Sequence, residues 1–252
     1  MTFIFSERDV DMKISICIPM YNENAVIAQT AQTLSDYMQA HFADYEIIFC
    51  SDGSIDGCDE TVRALGLPNV IVISNSPNRG KGHAVRTAML AASGDVRMFT
   101  DADLAYGTDV IERFVACFSG ETPTDVAIGS RNLSKDGYMG YTPIRKLASK
   151  LYFRMLGALG RVKISDSQCG CKAYSARAAE QIFSKCEVNG FAFDFETLLW
   201  ARKLGLSIRE VPVRIIQHGT SKVDVFKDSF RMLRDVHRMK KRINKQKGEG
   251  AS

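Results

Sequence analysis

The chain has 252 residues, 45% hydrophobic and 25% charged, which suffices to bury a core and excludes a disordered or collagen-like polypeptide. Its formal charge of +4 is unevenly placed: residues 231–247 hold eight Lys/Arg and one acid, leaving the remainder at −3, and this split argues against a nucleic-acid binder, whose charge would spread over the folded body. Seven cysteines form no C-x-x-C pair and mostly sit in apolar runs such as SICIP and EIIFCS, so neither a disulfide framework nor a zinc site is expected and the compartment reads as reducing.

The opening MTFIFSERDVDMK carries acidic charge and no long apolar run, and so reads as neither a secretory signal nor a span. No later stretch approaches the roughly 18 apolar residues needed to cross a bilayer. Ile14, Ile16 and Ile18 mark a strand closed by Pro19, and Asn24 is placed to cap a helix carrying Val26, Ile27, Leu34 and Met38. Residues 45–51 and 70–74 read as further strands, and a helix through Ala84, Val85, Ala88, Met89 and Ala92 leads across Gly94 into a fourth, 96–100. This βαβαβαβ order predicts an α/β fold with a Rossmann-like, mostly parallel central sheet covered on both faces. Beyond it, the pattern predicts helices over 109–118, 144–159, 176–183 and 195–204, and strands over 126–130 and 208–216. With no linker and no repeat, residues 1–225 read as one domain followed by a basic amphipathic tail, 226–252.

Polar clusters fall at the carboxyl ends of the first four strands: Asn22 and Glu23, residues 52–56, residues 78–81, then Asp101 and Asp103. Open α/β sheets bind ligands along that edge. The triplet Asp101-Ala102-Asp103 is the sharpest feature, because two carboxylates one residue apart at a strand end can hold a hard divalent ion together with a diphosphate. NRGKG is not a Walker A loop, since G-x-x-x-x-G-K-[ST] is absent.

The strings IPMYNE (18–23), SDGSIDG (51–57), NRGKGHAVR (78–86), FTDADLA (99–105) and GSR (129–131) occur in the order found in the family 2 glycosyltransferases, whose GT-A fold the chain therefore resembles. The later strings DSQCGCK (166–172), GFAFDFE (190–196), EVPVR (210–214) and HGTSKV (218–223) narrow the likeness to those acting on polyprenyl phosphates. The resemblance implies an inverting transfer of a hexose, glucose from UDP-glucose, to a polyprenyl phosphate. It implies that Pro19, Tyr21, Glu23 and Asp52 surround the nucleoside, that Lys81 sits by the nucleotide, and that Asp101 and Asp103, flanking Ala102, hold Mg²⁺ or Mn²⁺ on the donor diphosphate. On the acceptor side it implies that Arg131, Arg145 and Ser149 hold the lipid phosphate; Arg145 and Ser149, four apart, share a helical face. Asp166, Gln168, Asp194 and Glu196 are expected to orient sugar or acceptor or to move a proton, with helix capping as the alternative for Asp194 and Glu196.

Three positions depart from the family pattern: Ser51 for a first Asp, Ala105 for a Gln beside the metal, and Cys171 for an aromatic. Two other readings stay open: a family 2 enzyme with a glycan or envelope acceptor, and a non-catalytic nucleotide-sugar-binding protein. In the tail, apolar residues at Phe230, Leu233, Val236, Met239 and Ile243 recur near helical spacing among Arg and Lys. A helix over 231–247 would suit an anionic membrane surface and place the protein peripherally on the cytoplasmic face. The competing reading packs its apolar side on the domain, and both hold if 226–236 packs while the end beyond Met239 meets phospholipid.

Overall fold

The structure, a computed structural model, describes residues 12–138, 164–216, 236, 238, 239 and 241–243. Its elements are β1 (Ile14–Met20), α1 (Asn24–His41), β2 (Tyr45–Asp52), α2 (Cys58–Ala64), β3 (Val70–Asn75), α3 (Lys81–Ala91), β4 (Val96–Phe99), α4 (Val110–Val115), β5 (Val126–Ser130), β6 (Lys172–Ser175), α5 (Ala176–Phe183), α6 (Phe193–Lys203) and β7 (Ile208–Pro212). A single 3₁₀ turn, Arg131–Leu133, follows β5.

The strands form one sheet in the order β3-β2-β1-β4-β6-β5-β7. β3, β2, β1 and β4 are mutually parallel, β5 and β7 are parallel, and β6 runs antiparallel to both its neighbours. The expected mostly parallel sheet is present; β6 and α2 are elements that periodicity did not single out. From β1 the chain steps outward to β2 and β3, then returns to the opposite side of β1 as β4. The carboxyl ends of β1 and β4 therefore flank a topological switch point, where open sheets leave a crevice for ligand.

Strand period decides which side chain faces which helical layer. Cys17, Ile48, Cys50, Phe99 and Tyr174 join the layer of α3, α5 and α6. Ile16, Ile18, Ile47, Phe49, Met98 and Ala173 join the layer of α1, α2 and α4. Burial on both faces explains the near-continuous apolar runs of β1 and β2.

One expectation is corrected and one open alternative is narrowed. Asn24 is the first helical residue rather than the cap; its backbone N–H donates to Asp56 (2.8 Å) and its side-chain oxygen accepts from Thr61 (2.6 Å), joining α1 to the start of α2. The described helical residues of the tail agree with the reading that packs its apolar side on the domain, and that packing continues past Met239. Val236, Met239 and Ile243 are all buried with α6, while Arg238 and Lys241 are exposed. Lys203 Nζ donates to the Ile243 carbonyl at 2.7 Å. The expected helix over 144–159 lies outside the described residues.

Candidate active site

At the end of β2, the buried Asp52 carboxylate accepts the backbone N–H groups of Arg79 (3.1 Å) and Gly80 (2.6 Å), the two residues before α3. A carboxylate meeting backbone N–H groups at a helix start is favoured by charge as well as by hydrogen bonding. Gly53 allows this approach: its φ is +75°, and a Cβ there would lie 2.5 Å from the Asn78 nitrogen. His83 Nδ1 stands 3.6 Å from Asp52, and burial, with Arg86 and Arg79 nearby, holds the imidazole below its ordinary pKa. Ser51 hydrogen-bonds Ser54 through its hydroxyl (2.9 Å), and Ser54 in turn accepts the Asn22 N–H (3.1 Å). The residue that departs from the family pattern thus ties the ends of β1 and β2 together.

At the end of β1, Pro19 is buried and Tyr21 is 44% exposed at the rim. Asn22 adopts φ 52°, and its side-chain oxygen accepts the Ile55 N–H at 2.9 Å. The Glu23 carbonyl accepts the N–H groups of Val26 and Ile27, opening α1.

β4 is followed by Thr100 and the Asp101–Asp103 turn. Asp101 pairs with the Lys81 ammonium. The Ala102 carbonyl accepts the Thr30 hydroxyl (2.6 Å), pinning the turn to α1, and Asp103 accepts the Ala105 N–H (3.1 Å). Leu104 closes the turn at φ 47°, an uncommon conformation for a residue with a branched side chain. Burial, reinforced by the Asp101 charge, holds the Asp103 carboxyl above the usual aspartate range. Burial would lower the Lys81 pKa, but the Asp101 and Asp194 charges outweigh it and raise the ammonium above its ordinary value. A cleft of about 290 Å³ opens beside the turn, lined by Thr30, Asp103, Leu104 and Ile216 among others.

The donor set suits a divalent ion held jointly with a ligand. Both carboxylates offer hard oxygen donors, Asp101 already meets a cation in Lys81, and a positive ion would offset the burial and the Asp101 charge that together raise Asp103. Among the described residues no group of three or more His, Cys, Asp or Glu could hold a metal by itself. Asp101 and Asp103 would therefore hold such an ion only together with ligands from outside the protein.

Asp166 and Arg131 are brought together. Arg131 Nε and Nη2 donate to the two carboxylate oxygens at 2.6 and 2.9 Å, and the Arg131 N–H adds a third bond at 3.2 Å. Asp166 is fully buried, and the Gln168 N–H lies 3.4 Å from its Oδ1. Asp194 pairs with Lys172, whose ammonium also donates to the Cys169 carbonyl at 2.8 Å. Burial raises the Asp194 carboxyl despite the nearby Lys172 and Lys81. Glu196, fully buried in the first turn of α6, accepts the N–H groups of Glu187 and Val188 and pairs with Arg242. Neither acid caps α6, whose cap position is Ala192.

The structure thus gathers Lys81, Asp101 and Asp103 with Asp194 in electrostatic reach, and places Asp52 and Tyr21 at the neighbouring strand ends. Arg145 and Ser149 lie outside the described residues. Lys172 was missed by sequence reasoning, although an isolated basic residue in the apolar CGCKAY run was a signal for it. Gly170, whose Cβ would sit 2.1 Å from Asp101 Oδ2, was missed as well.

The sequence matches the family described as Glycosyl transferase family 2 over residues 15–183. It is 30% identical to the dolichyl-phosphate beta-glucosyltransferase of Drosophila melanogaster, over 93% of this chain and 76% of that protein. To the Saccharomyces cerevisiae enzyme of the same name it is 28% identical, over 91% of this chain and 75% of the relative. A crystal structure of Mycobacterium tuberculosis glucosyl-3-phosphoglycerate synthase, in complex with Mn²⁺, UDP and phosphoglyceric acid, shares the fold with a TM-score of 0.67, 19% identity and coverage of 91% of this chain and 77% of that one.

Proposed function

Because the chain belongs to glycosyl transferase family 2, we propose that it transfers a glucosyl residue from UDP-glucose to a polyprenyl phosphate, with inversion at the anomeric carbon. The observation that carries this reading is the Lys81–Asp101–Asp103 cluster at the β1/β4 switch point. The acceptor and sugar follow the dolichyl-phosphate beta-glucosyltransferases to which most of the chain is similar.

In this mechanism an acceptor phosphate oxygen attacks the anomeric carbon as the bond from that carbon to the UDP diphosphate breaks, and UDP leaves with the electron pair. A divalent ion, Mg²⁺ or Mn²⁺, supplies neutralisation of the charge developing on that diphosphate. Asp101 and Asp103 are the residues that would hold it, and Lys81 adds a positive charge beside them. Pro19, Tyr21, Glu23 and Asp52 form the nucleoside side. Asp52 works through the backbone it holds at Arg79 and Gly80.

On the acceptor side Asp166 acts by positioning, because its bidentate grip fixes the plane of the Arg131 guanidinium. Arg145 and Ser149 complete the phosphate grip. An acceptor phosphate whose second pKa is about 6 is largely ionised at neutral pH, so the nucleophile needs no strong general base. Asp194 then serves to hold charge and geometry around Lys81, with Gln168 orienting sugar or acceptor.

No helix among the described residues is long and apolar enough to cross a membrane. A lipid-phosphate acceptor requires contact with the bilayer surface, and the basic residues of 231–247, Arg238 and Lys241 on the exposed side, are composed to supply it on the cytoplasmic face.

The test is transfer of labelled glucose from UDP-glucose to polyprenyl phosphate by purified protein with Mg²⁺ or Mn²⁺. Asp103→Ala should lose roughly 10²- to 10³-fold in rate with the fold retained. Failure to glucosylate any polyprenyl phosphate would remove the acceptor assignment. Transfer to another acceptor that survives Arg145→Ala and Ser149→Ala would assign a different one.

A further inference from the structure

We infer that Arg242, in the basic tail, is a positioning residue for the donor loop, acting through Glu196 and residues 186–190 on the start of α3. The inference rests on the donor site proposed above.

The chain of contacts is continuous. Arg242 pairs with both Glu196 and Glu187. Glu196, itself fully buried, spends its carboxylate on the N–H groups of Glu187 (3.1 Å) and Val188 (2.9 Å). The loop so held grips α3 in three places. The Asn189 carbonyl accepts the Gly82 N–H (2.7 Å), the Asn189 side chain accepts from Arg86 Nη2 (3.1 Å), and the Cys186 carbonyl accepts from Arg86 Nη1 (2.9 Å).

The fit at α3 leaves no slack. A Cβ on Gly80 would stand 2.4 Å from the Asn189 carbonyl oxygen, and one on Gly82 would stand 2.5 Å from that of Val188. Lys81 lies between these glycines and reaches Asp101. On its other side the same peptide is held by Asp52, which accepts the Gly80 N–H. The start of α3 is therefore clamped between β2 and the 186–190 loop. The second jaw depends on a cation from the tail, because Glu196 is a fully buried carboxylate and Arg242 is the cation it meets.

Seating of the tail adds the apolar half of the attachment. Met239 and Ile243 are buried in the layer of α3, α5 and α6. Tail docking and donor-loop geometry are thus one mechanical unit, which would let a segment suited to the bilayer surface set the readiness of the donor site.

The experiment measures binding of UDP with Mg²⁺ by calorimetry to the full chain and to Arg242→Ala, Arg242→Lys and Glu187→Gln, with Arg177→Ala as a charge control on an exposed pair with Asp125. Arg242→Ala should weaken UDP binding by roughly 3- to 30-fold. Arg242→Lys and Glu187→Gln should give smaller losses, and the control none. Hydrogen exchange should quicken at Gly82 and Val188 in Arg242→Ala while β1 and β2 stay protected. Unchanged UDP affinity and exchange in Arg242→Ala overturn the inference, as does an exchange increase spread evenly over the sheet. If Arg242→Ala does not fold, unchanged affinity in both Arg242→Lys and Glu187→Gln overturns it. A wild-type chain that binds no UDP overturns the donor-site reading instead.

Discussion

Lys172 on β6 and Asp194 on α6 form an ion pair in which the lysine side chain has no solvent exposure and the aspartate only 7%. Lys172 also donates to the Cys169 carbonyl and lies 5.5 Å from the centre of the Phe99 ring. The pair joins the antiparallel strand, inserted between β4 and β5, to the first turn of α6, and Asp194 contributes to the field at Lys81. Removing one member strands a buried charge, whereas removing both exchanges it for packing. Lys172→Met should therefore destabilise the fold by about 3–5 kcal/mol, and Lys172→Met with Asp194→Leu should lose less than Lys172→Met alone. Urea unfolding of the two variants tests this; a double variant less stable than the single would show that the charges are not coupled as the geometry implies.

Asp52 carries a second prediction. Its carboxylate is the acceptor for the backbone N–H groups of Arg79 and Gly80. Asp52→Ala should cost about 1–3 kcal/mol of stability and weaken UDP binding, because the loop before α3 loses its anchor on β2. Asp52→Asn keeps one acceptor oxygen and should fall between the two. Equal UDP affinity in all three proteins would mean that the loop is held by the 186–190 side alone.

The donor edge was legible because strand-end polar clusters are written locally: a β-branched run, then Asp or Asn, then a helical pattern. What was not legible is the use to which those acids are put. Asp166 and Arg131 are 35 residues apart in sequence and meet as a bidentate pair, and nothing in either string announces the other. Strand β6 escaped notice because it is only four residues long and opens on Lys172; burial of a lysine is intelligible only once Asp194 and the Cys169 carbonyl are in place. Arg242 reads as one more basic residue of a helix suited to an anionic membrane surface, and its partner, Glu196, lies 46 positions earlier. The apolar period of the tail was visible, yet period alone does not say whether protein or lipid covers it.

Glu46, on β2 far from the donor edge, gives a prediction in pH. Its carboxylate accepts the Ser15 hydroxyl (2.6 Å), the Ser93 N–H (2.6 Å) and the Ser93 hydroxyl (3.0 Å), tying β1 and the turn after α3 to β2. Burial pushes its pKa up, but these hydrogen bonds and Lys13 outweigh it, and the net direction is down. A depressed carboxyl contributes stability that is fully present above the unfolded glutamate value of about 4.3 and is lost as pH falls through the lower folded value. Glu46→Gln should thus be destabilised relative to wild type at pH 7, and the gap should narrow as pH drops below the ordinary glutamate range. Thermal unfolding of both proteins across that range checks the sign; a gap that widens toward acid would contradict it.

Gly170 separates the placement of Asp101 from the integrity of the fold. A Cβ at this position would lie 2.1 Å from Asp101 Oδ2 and 2.9 Å from its Cγ. The obstructing atoms belong to the end of a side chain rather than to backbone, so Gly170→Ala can be accommodated by turning the Asp101 carboxylate away. That movement would also unmake its contact with Lys81 and separate it from Asp103. Stability should change little, within about 1 kcal/mol, while Mg²⁺-dependent UDP affinity should fall by about tenfold or more, the effect of one misplaced charged ligand. Paired measurements of melting temperature and UDP binding, with and without Mg²⁺, distinguish the outcomes. Loss confined to the Mg²⁺-dependent part is the expected result; an unfolded protein, or unchanged affinity with Mg²⁺, would mean that the close approach of Gly170 serves packing and not the placement of Asp101.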